Sequence, residues 1–369
     1  MITTAPPPTR GCRWWIAAAI LLAGVLLVQA ETKALRSIGN DFTAYLEAAG
    51  ALARGANPYH VAPMFPYSYP LTLAWLLIPL RFVAIWLAAG TWFVISALAY
   101  WRVVTHSASS ADRRPQYCQV AAIAVVVAMA LLQIVQNEFL NGQVNLVVCA
   151  VSLAAIAASQ RGHASPAALL WGLGIAVKLF PLILGPWFLL RRKWVELFAG
   201  AAAAVVFALV PVLWTGADAL RWTGEYLVKI SGGEAGAVGA KDFIHLNVAW
   251  AIGHYSGMAG SRWLLPVVAV ALVGWAMVRD WRRGLRHGVR AAAGYLALVV
   301  LLSPKSETHH MIFTIPAVIV LGVNARTWPR RAALAALIVL FNVGFVTASV
   351  RDPFLQLFAF GVAAWCIAE

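Results

Sequence analysis

Residues 166–190 read PAALLWGLGIAVKLFPLILGPWFLL, an apolar run broken only by Lys178 and by prolines. A helix that crosses a bilayer needs ~20 apolar residues, and this run is long enough to supply them. A charge at the bilayer centre costs at least ~2.5–3.5 kcal/mol on insertion scales. One reading therefore breaks the run at Phe180-Pro181 into two short limbs and moves the ammonium off the midplane. The other keeps a single helix, with residues 68–104 forming a two-helix hairpin.

Working outward, further apolar runs stand at 14–30, 68–80, 82–104, 117–136, 145–160, 195–215, 261–278, 290–302, 310–323, 331–349 and 353–368. The chain of 369 residues is 62% hydrophobic and 11% charged, with a mean hydropathy of +0.78. Soluble domains carry about 45–50% apolar and about 25% charged residues, so a buried core alone does not explain the excess. The expectation is an all-α polytopic membrane protein of about twelve transmembrane helices, forming one integral membrane domain over residues 1–369.

The net charge of +14 would suggest nucleic acid in a soluble protein, but no nucleic-acid motif accompanies it. The basic residues instead fall in short clusters between apolar runs: Arg191-Arg192-Lys193, then Arg279, Arg282, Arg283, Arg286 and Arg290, then Arg326, Arg330 and Arg331. Such clusters mark cytoplasmic loops. They place residues 31–67, 216–260 and 303–310 on the outer side. Breaking 166–190 also puts Arg102, Arg113, Arg114 and Arg161 inside. Arg10 and Arg13 before the first run allow a cleaved signal peptide, but Trp14-Trp15 favour an uncleaved, anchored first helix. Cys12, Cys118, Cys149 and Cys366 show no metal spacing and read as small buried hydrophobes.

The long outer loops hold most of the candidate chemistry. Asn40 or Asp41 can cap an amphipathic helix on which Phe42, Tyr45, Leu46, Ala49 and Leu52 recur at helical spacing. Asp41 can alternatively accept a proton from a substrate hydroxyl. A second amphipathic piece runs from Leu220 to Ile230. Tyr59, His60 and Tyr69 read either as a membrane belt or as a platform for a sugar ring. Gln143 and Asn145, in Gly142-Gln143-Val144-Asn145, are either turn residues or amides for sugar hydroxyls. Lys178 either snorkels or pairs with a phosphate. The turn Ser303-Pro304-Lys305-Ser306-Glu307-Thr308-His309-His310 puts two histidines at a membrane boundary, where they can meet a phosphate. No third ligand is spaced for a metal, so none is expected. His245 and Asn247 are a softer pair of the same kind.

Taken in order, these segments resemble glycosyltransferase family 87. The resemblance rests on Asp41-Phe42 with Tyr45, Gly55-Ala56-Asn57-Pro58-Tyr59, Tyr67-Ser68-Tyr69-Pro70, Gly142-Gln143-Val144-Asn145, Val177-Lys178-Leu179-Phe180-Pro181 with Arg191-Arg192-Lys193-Trp194, and the Ser303–His310 turn. It runs from about residue 38 to 316. An aromatic usually stands in that family where Glu307 or Thr308 stands here.

The resemblance implies a C-type glycosyltransferase architecture with amphipathic helices in the first outer loop. It also implies a polyprenyl-phosphate-linked sugar donor, mannose as the first expectation with arabinofuranose as the alternative. The acceptor would be an envelope glycolipid or glycan, and the active site would face the periplasm or exterior of the inner or plasma membrane. Asp41 matches the family's catalytic base. Lys178, His309 and His310 would receive the donor phosphate, while Asn40, Tyr59, Tyr69, Gln143, Asn145 and Asn247 would contact sugar or acceptor. Membrane lipids are further partners, nucleic acid is not, and no cofactor beyond the lipid-linked donor substrate is expected. The main rival is a polytopic transporter or lipid flippase, which would show repeat symmetry with paired broken helices. No repeat is visible.

Overall fold

The computed structural model describes residues 10–36, 39–61, 66–109, 116–232, 264–285, 288–303, 306–346 and 351–368, with the single positions 246, 248, 252 and 256. Among the described residues every regular element is a helix. In chain order they are α1 (Arg10–Ala34), α2 (Asp41–Ala53), α3 (Leu71–Arg81), α4 (Ile85–Ala108), α5 (Tyr117–Ala130), α6 (Leu132–Asn141), α7 (Asn145–Gln160), α8 (Ala164–Val177), α9 (Gly185–Leu190), α10 (Trp194–Leu209), α11 (Val212–Thr215), α12 (Ala217–Gly232), α13 (Leu264–Arg282), α14 (Gly288–Leu302), α15 (Ile315–Asn324), α16 (Trp328–Val346) and α17 (Arg351–Ala368). Short 3₁₀ turns stand at Pro58–His60, Phe180–Leu184 and Thr308–Thr314.

Five segments are long and apolar enough to cross a membrane: Gly11–Ala34, Ile85–Ala108, Trp194–Thr215, Leu264–Arg282 and Trp328–Val346. The bent pair α5–α6 makes a sixth if it counts as one span. The other apolar helices are shorter, so by length alone the structure accounts for about half of the crossings expected from the sequence. Ile20, Leu21, Val206 and Val270 are exposed on the long helices. Water would penalise such apolar faces, whereas hydrocarbon suits them. This is a membrane protein.

The interior is built on the shorter helices. From Ala291 to Leu301, α14 is buried on every side, as is the stretch from Met311 to Leu321. An all-round apolar helix belongs in a core, and α14 packs there against α17 and the Thr308–Thr314 turn. Basic residues gather at one end of the molecule. Arg191 makes a two-pronged ion pair with Asp280, at 2.7 and 2.9 Å. Lys193 reaches the Ser159 carbonyl, and the Trp187 indole donates to the Gly288 carbonyl. The start of α14, the end of α7 and the junction of α9 with α10 therefore share that end. From there α7 and α14 each run about 22–24 Å, at 1.5 Å per residue, to a polar cluster at the other end.

Three elements depart from the sequence reading. The 166–190 run does break, but earlier than expected. Its helix stops at Val177, and Lys178 itself is extended (φ −158°, ψ 130°). Pro181 cannot donate to a continuing helix, and its carbonyl is taken up by the Trp171 indole at 2.7 Å. The 117–136 run, expected as one crossing, turns by 94° between α5 and α6. Beyond Leu131 the chain carries Gln133, Gln136, Asn137, Glu138 and Asn141. Hydrocarbon would leave these unsatisfied; the bend instead buries Glu138 and part of Gln136, Asn137 and Asn141 against the protein, where Gln136 donates to Gln29. Finally, α2 is buried almost all round, with Glu47 its exposed side chain, rather than lying amphipathically on a surface.

Candidate active site

The site is assembled where α2 begins, α6 gives way to α7, α8 ends, and the Thr308–Thr314 turn passes. Asn40 caps α2: its side chain accepts from the Thr43 N–H at 3.1 Å, and the Thr43 hydroxyl accepts from the Asn40 N–H at 3.0 Å. This reciprocal box satisfies the helix start. The Asn40 amide also donates to the Leu140 carbonyl at 3.0 Å, tying α2 to α6. With the cap supplied by its neighbour, the half-buried Asp41 carboxylate is turned to the Gln143 amide, from which it accepts a hydrogen bond.

Gln143 follows a helix-ending turn that only glycine fits well. Gly142 has φ +60°, and a Cβ there would stand 2.6 Å from the Phe42 Cβ. Its carbonyl accepts from the Trp92 indole at 2.8 Å, while Trp92 stacks on Phe42 with centroids 5.5 Å apart. The Gln143 Oε1 accepts from the hydroxyls of Tyr69 at 3.0 Å and Tyr45 at 3.3 Å. Burial, with the Asp41 carboxylate also contributing, holds both phenols well above their ordinary pKa. They stay protonated and donate, so the amide nitrogen must face Asp41.

Beyond Tyr69 lies the cationic side. Lys178 Nζ sits 4.9 Å from the Tyr69 ring centroid and 4.5 Å from that of Phe180. It donates to Asn145 Oδ1 at 2.6 Å and approaches His310 Nε2 at 3.2 Å. Asn145 passes the contact on, its amide donating to Glu138 at 3.0 Å. Glu138 also accepts from the Leu146 N–H at 2.8 Å and so secures the start of α7. The His310 Nδ1 accepts from the Glu307 N–H at 3.1 Å. Its Nε2 is the atom directed to Lys178, whose ammonium has only hydrogens to give. His309 is partly buried, its Nδ1 3.5 Å from the Glu307 carboxylate.

A tyrosine wall flanks this cluster. The Tyr59 hydroxyl donates to the Tyr69 carbonyl at 3.0 Å, and its ring stacks on Tyr226 of α12 at 5.9 Å. Asn57 joins the same elements by donating to Glu225 at 2.9 Å.

The structure thus brings Asn40, Asp41, Tyr59, Tyr69, Gln143, Asn145, Lys178, His309 and His310 into one region. Asn247 and His245 lie outside the described residues. Glu138 was missed by the sequence reading, although a carboxylate just past an apolar run was the signal to follow. Trp92 and Tyr226 carried no local signal. Among the described residues no group of three or more His, Cys, Asp or Glu side chains is placed to hold a metal.

Residues 67–304 match the sequence profile of glycosyltransferase family 87. The chain belongs to that family. The profile spans Tyr69, Gln143, Asn145 and Lys178 of this family 87 chain, while Asp41 and the histidine pair fall outside it. Longer matches link it to characterised relatives. It is 28% identical, over 75% of its own length and 66% of the relative's, to a polyprenol-phosphate-mannose-dependent alpha-(1-2)-phosphatidylinositol mannoside mannosyltransferase of Mycobacterium tuberculosis (strain ATCC 25618 / H37Rv). Its identity to the enzyme of that name in Mycolicibacterium smegmatis (strain ATCC 700084 / mc(2)155) is also 28%, over 85% of this chain and 76% of the relative. A pentamannoside mannosyltransferase of the same organism is 27% identical, over 85% of this chain and 78% of the relative.

Proposed function

We propose that this chain transfers a hexosyl group, mannose in the first instance, from a polyprenyl-phosphate donor to a glycolipid or glycan acceptor at the extracytoplasmic face of the cell membrane. One observation carries the reading: a carboxylate and an ammonium stand on either side of a shared Gln143–Tyr69 bridge. The donors used by the relatives named above supply the sugar and lipid class, and their phosphatidylinositol mannoside acceptors suggest a glycolipid acceptor here.

In this mechanism the acceptor hydroxyl gives its proton to Asp41 as its oxygen bonds to the anomeric carbon. The anomeric carbon–phosphate oxygen bond breaks on the opposite face. The electron pair leaves with polyprenyl phosphate, and configuration inverts. Negative charge grows on the phosphate as the bond breaks, so cations positioned there lower the barrier more than they tighten ground-state binding. Lys178 supplies the charge. With a proton on Nε2 once the phosphate is bound, His310 is a second donor at the same place, and a phosphate oxygen accepts from both. His309 is a further donor at the edge. Gln143 fixes the direction of Asp41, Asn145 fixes Lys178, and Tyr59 with Tyr69 offers a face for the sugar. Asn40 acts by positioning α2, and Asn247 remains a proposed sugar contact. The surrounding architecture is read as a C-type glycosyltransferase of about twelve crossings, in which short limbs such as α7 and α8 count as spans.

The test is transfer of radiolabelled mannose from polyprenyl-phosphate mannose in membranes. Asp41→Asn keeps the helix start and donor binding but abolishes transfer. An Asp41→Asn enzyme with wild-type transfer removes Asp41 from the role.

A further inference from the structure

At the end of the molecule opposite the polar cluster, α4, α7 and α8 enclose a cleft of about 440 Å³. Its rim carries Arg102 and His106 from α4, Arg161 at the end of α7, and His163 at the start of α8. Among the described residues no carboxylate pairs with either arginine, and no hydrogen bond engages any of these four side chains. Two cations elsewhere at this end are answered, Arg191 by Asp280 and Lys193 by Glu196. The first turn of α8 opens on the same cleft through Pro166, holds no acidic residue and has no side-chain cap. The positive end of its helix dipole adds to the potential of the guanidinium groups. Like charges gathered without a counter-ion repel one another, and an anion relieves them.

The wall below the rim is apolar. Ala150, Ala154 and Ala158 lie at four-residue steps along one face of α7, opposite Leu170 of α8. From Ala150 to Arg161 is about 16 Å along the helix, at 1.5 Å per residue. A free anion would use only the rim. A ligand with a phosphate and a hydrocarbon chain would use the whole trough, because small side chains there leave room for methylene groups. We propose that this cleft holds an anionic phospholipid, its phosphate between Arg102 and Arg161 and an acyl chain along the alanine face of α7. The site is distinct from the polar cluster, since Asn145 lies a full helix length, about 24 Å, from Arg161.

The test is native mass spectrometry of the full-length protein in detergent, titrated separately with phosphatidylglycerol, phosphatidylcholine and inorganic phosphate. The wild type is expected to retain phosphatidylglycerol in preference to phosphatidylcholine. In R102Q/R161Q the preference falls on the order of tenfold or more, as loss of two basic contacts to an anionic lipid requires. A154W, which fills the apolar wall and leaves the charges, weakens phosphatidylglycerol binding as well. R102K/R161K retains part of the preference, because a point charge replaces a fork. Equal affinity for the two lipids in the wild type overturns the proposal, as does undiminished phosphatidylglycerol binding in R102Q/R161Q. Inorganic phosphate binding to the wild type, with A154W leaving phosphatidylglycerol retention unchanged, assigns the rim to the free ion and also overturns it. Should R102Q/R161Q fail to fold, A154W decides alone.

Discussion

Gln143 stands between the two ends of the candidate chemistry, and each of its polar atoms has a set direction. Its nitrogen donates to Asp41, while its oxygen takes two phenol hydrogens from Tyr45 and Tyr69. Alanine at this position removes the hydrogen bond that aims the Asp41 carboxylate and frees two buried phenols from their acceptor. A hydrogen bond to a charged group is worth ~1.5–3 kcal/mol, roughly 10–100-fold in rate if the loss falls on the transition state. Gln143→Ala is therefore expected to lower kcat by that factor, with a smaller change in KM for the donor. Steady-state kinetics on membranes measures both, and a wild-type kcat would show that Asp41 needs no such aim. Lys178 invites a sharper comparison. It fits between Asn145 at 2.6 Å and His310 at 3.2 Å as a compact charge. A guanidinium is planar and wider, and cannot occupy that position without displacing one partner. Lys178→Arg is expected to lose most transfer despite keeping its charge, down toward the level of Lys178→Met. Near-wild-type transfer by the arginine enzyme would mean that charge alone suffices there.

Among the elements, the turn between α6 and α7 is tightly constrained. Gly142 combines a left-handed backbone with a Cβ direction blocked by Phe42. Alanine there adds ~1–2 kcal/mol of backbone strain and also pushes on the stacked Phe42–Trp92 pair. Gly142→Ala should lower the unfolding temperature and reduce transfer through the displaced Gln143. A melt of the purified variant that overlays the wild type would contradict this. The turn was partly legible beforehand, because glycine followed by two amides between apolar runs reads as punctuation. The bend at Leu131 was not. Leu131 and Leu132 continue the apolar run, and only the polar residues after them favour the turn. The break at Lys178 was legible because a charge and a proline are both costly inside a spanning helix. The pairing of Gln143 with Asp41 joins residues 102 apart in sequence, and no local pattern reports such a contact. Glu138 did carry a local signal, a carboxylate just past an apolar run, but its link to Asn145 was visible only in the fold.

Across the whole molecule, polar chemistry separates toward two ends joined by buried helices. One end gathers the Asp41–Gln143–Lys178–His310 cluster; the other gathers Arg161, Arg191, Lys193, Asp280 and the start of α14. We propose, from the charge bias toward the cytoplasm, that the basic end lies inside and that the cluster faces out, where a lipid-linked sugar and its acceptor would meet. Single cysteines can decide this orientation. Glu47 on α2 is exposed beside the cluster, and Arg283, just past α13, is exposed at the basic end. In a background lacking Cys12, Cys118, Cys149 and Cys366, Glu47→Cys should react with a membrane-impermeant maleimide in intact cells. Arg283→Cys should react only after the membrane is opened. The reverse pattern would turn the cluster toward the cytoplasm. The extracytoplasmic reading would then fail, because the basic loops would face outward against their charge bias and the donor sugar would have to reach Asp41 from the inner leaflet. Equal labelling of both positions in sealed cells would mean that the two ends do not lie on opposite sides of the bilayer. The shorter helices α7, α8 and α14 would then have to lie within one leaflet instead of spanning the distance between the ends.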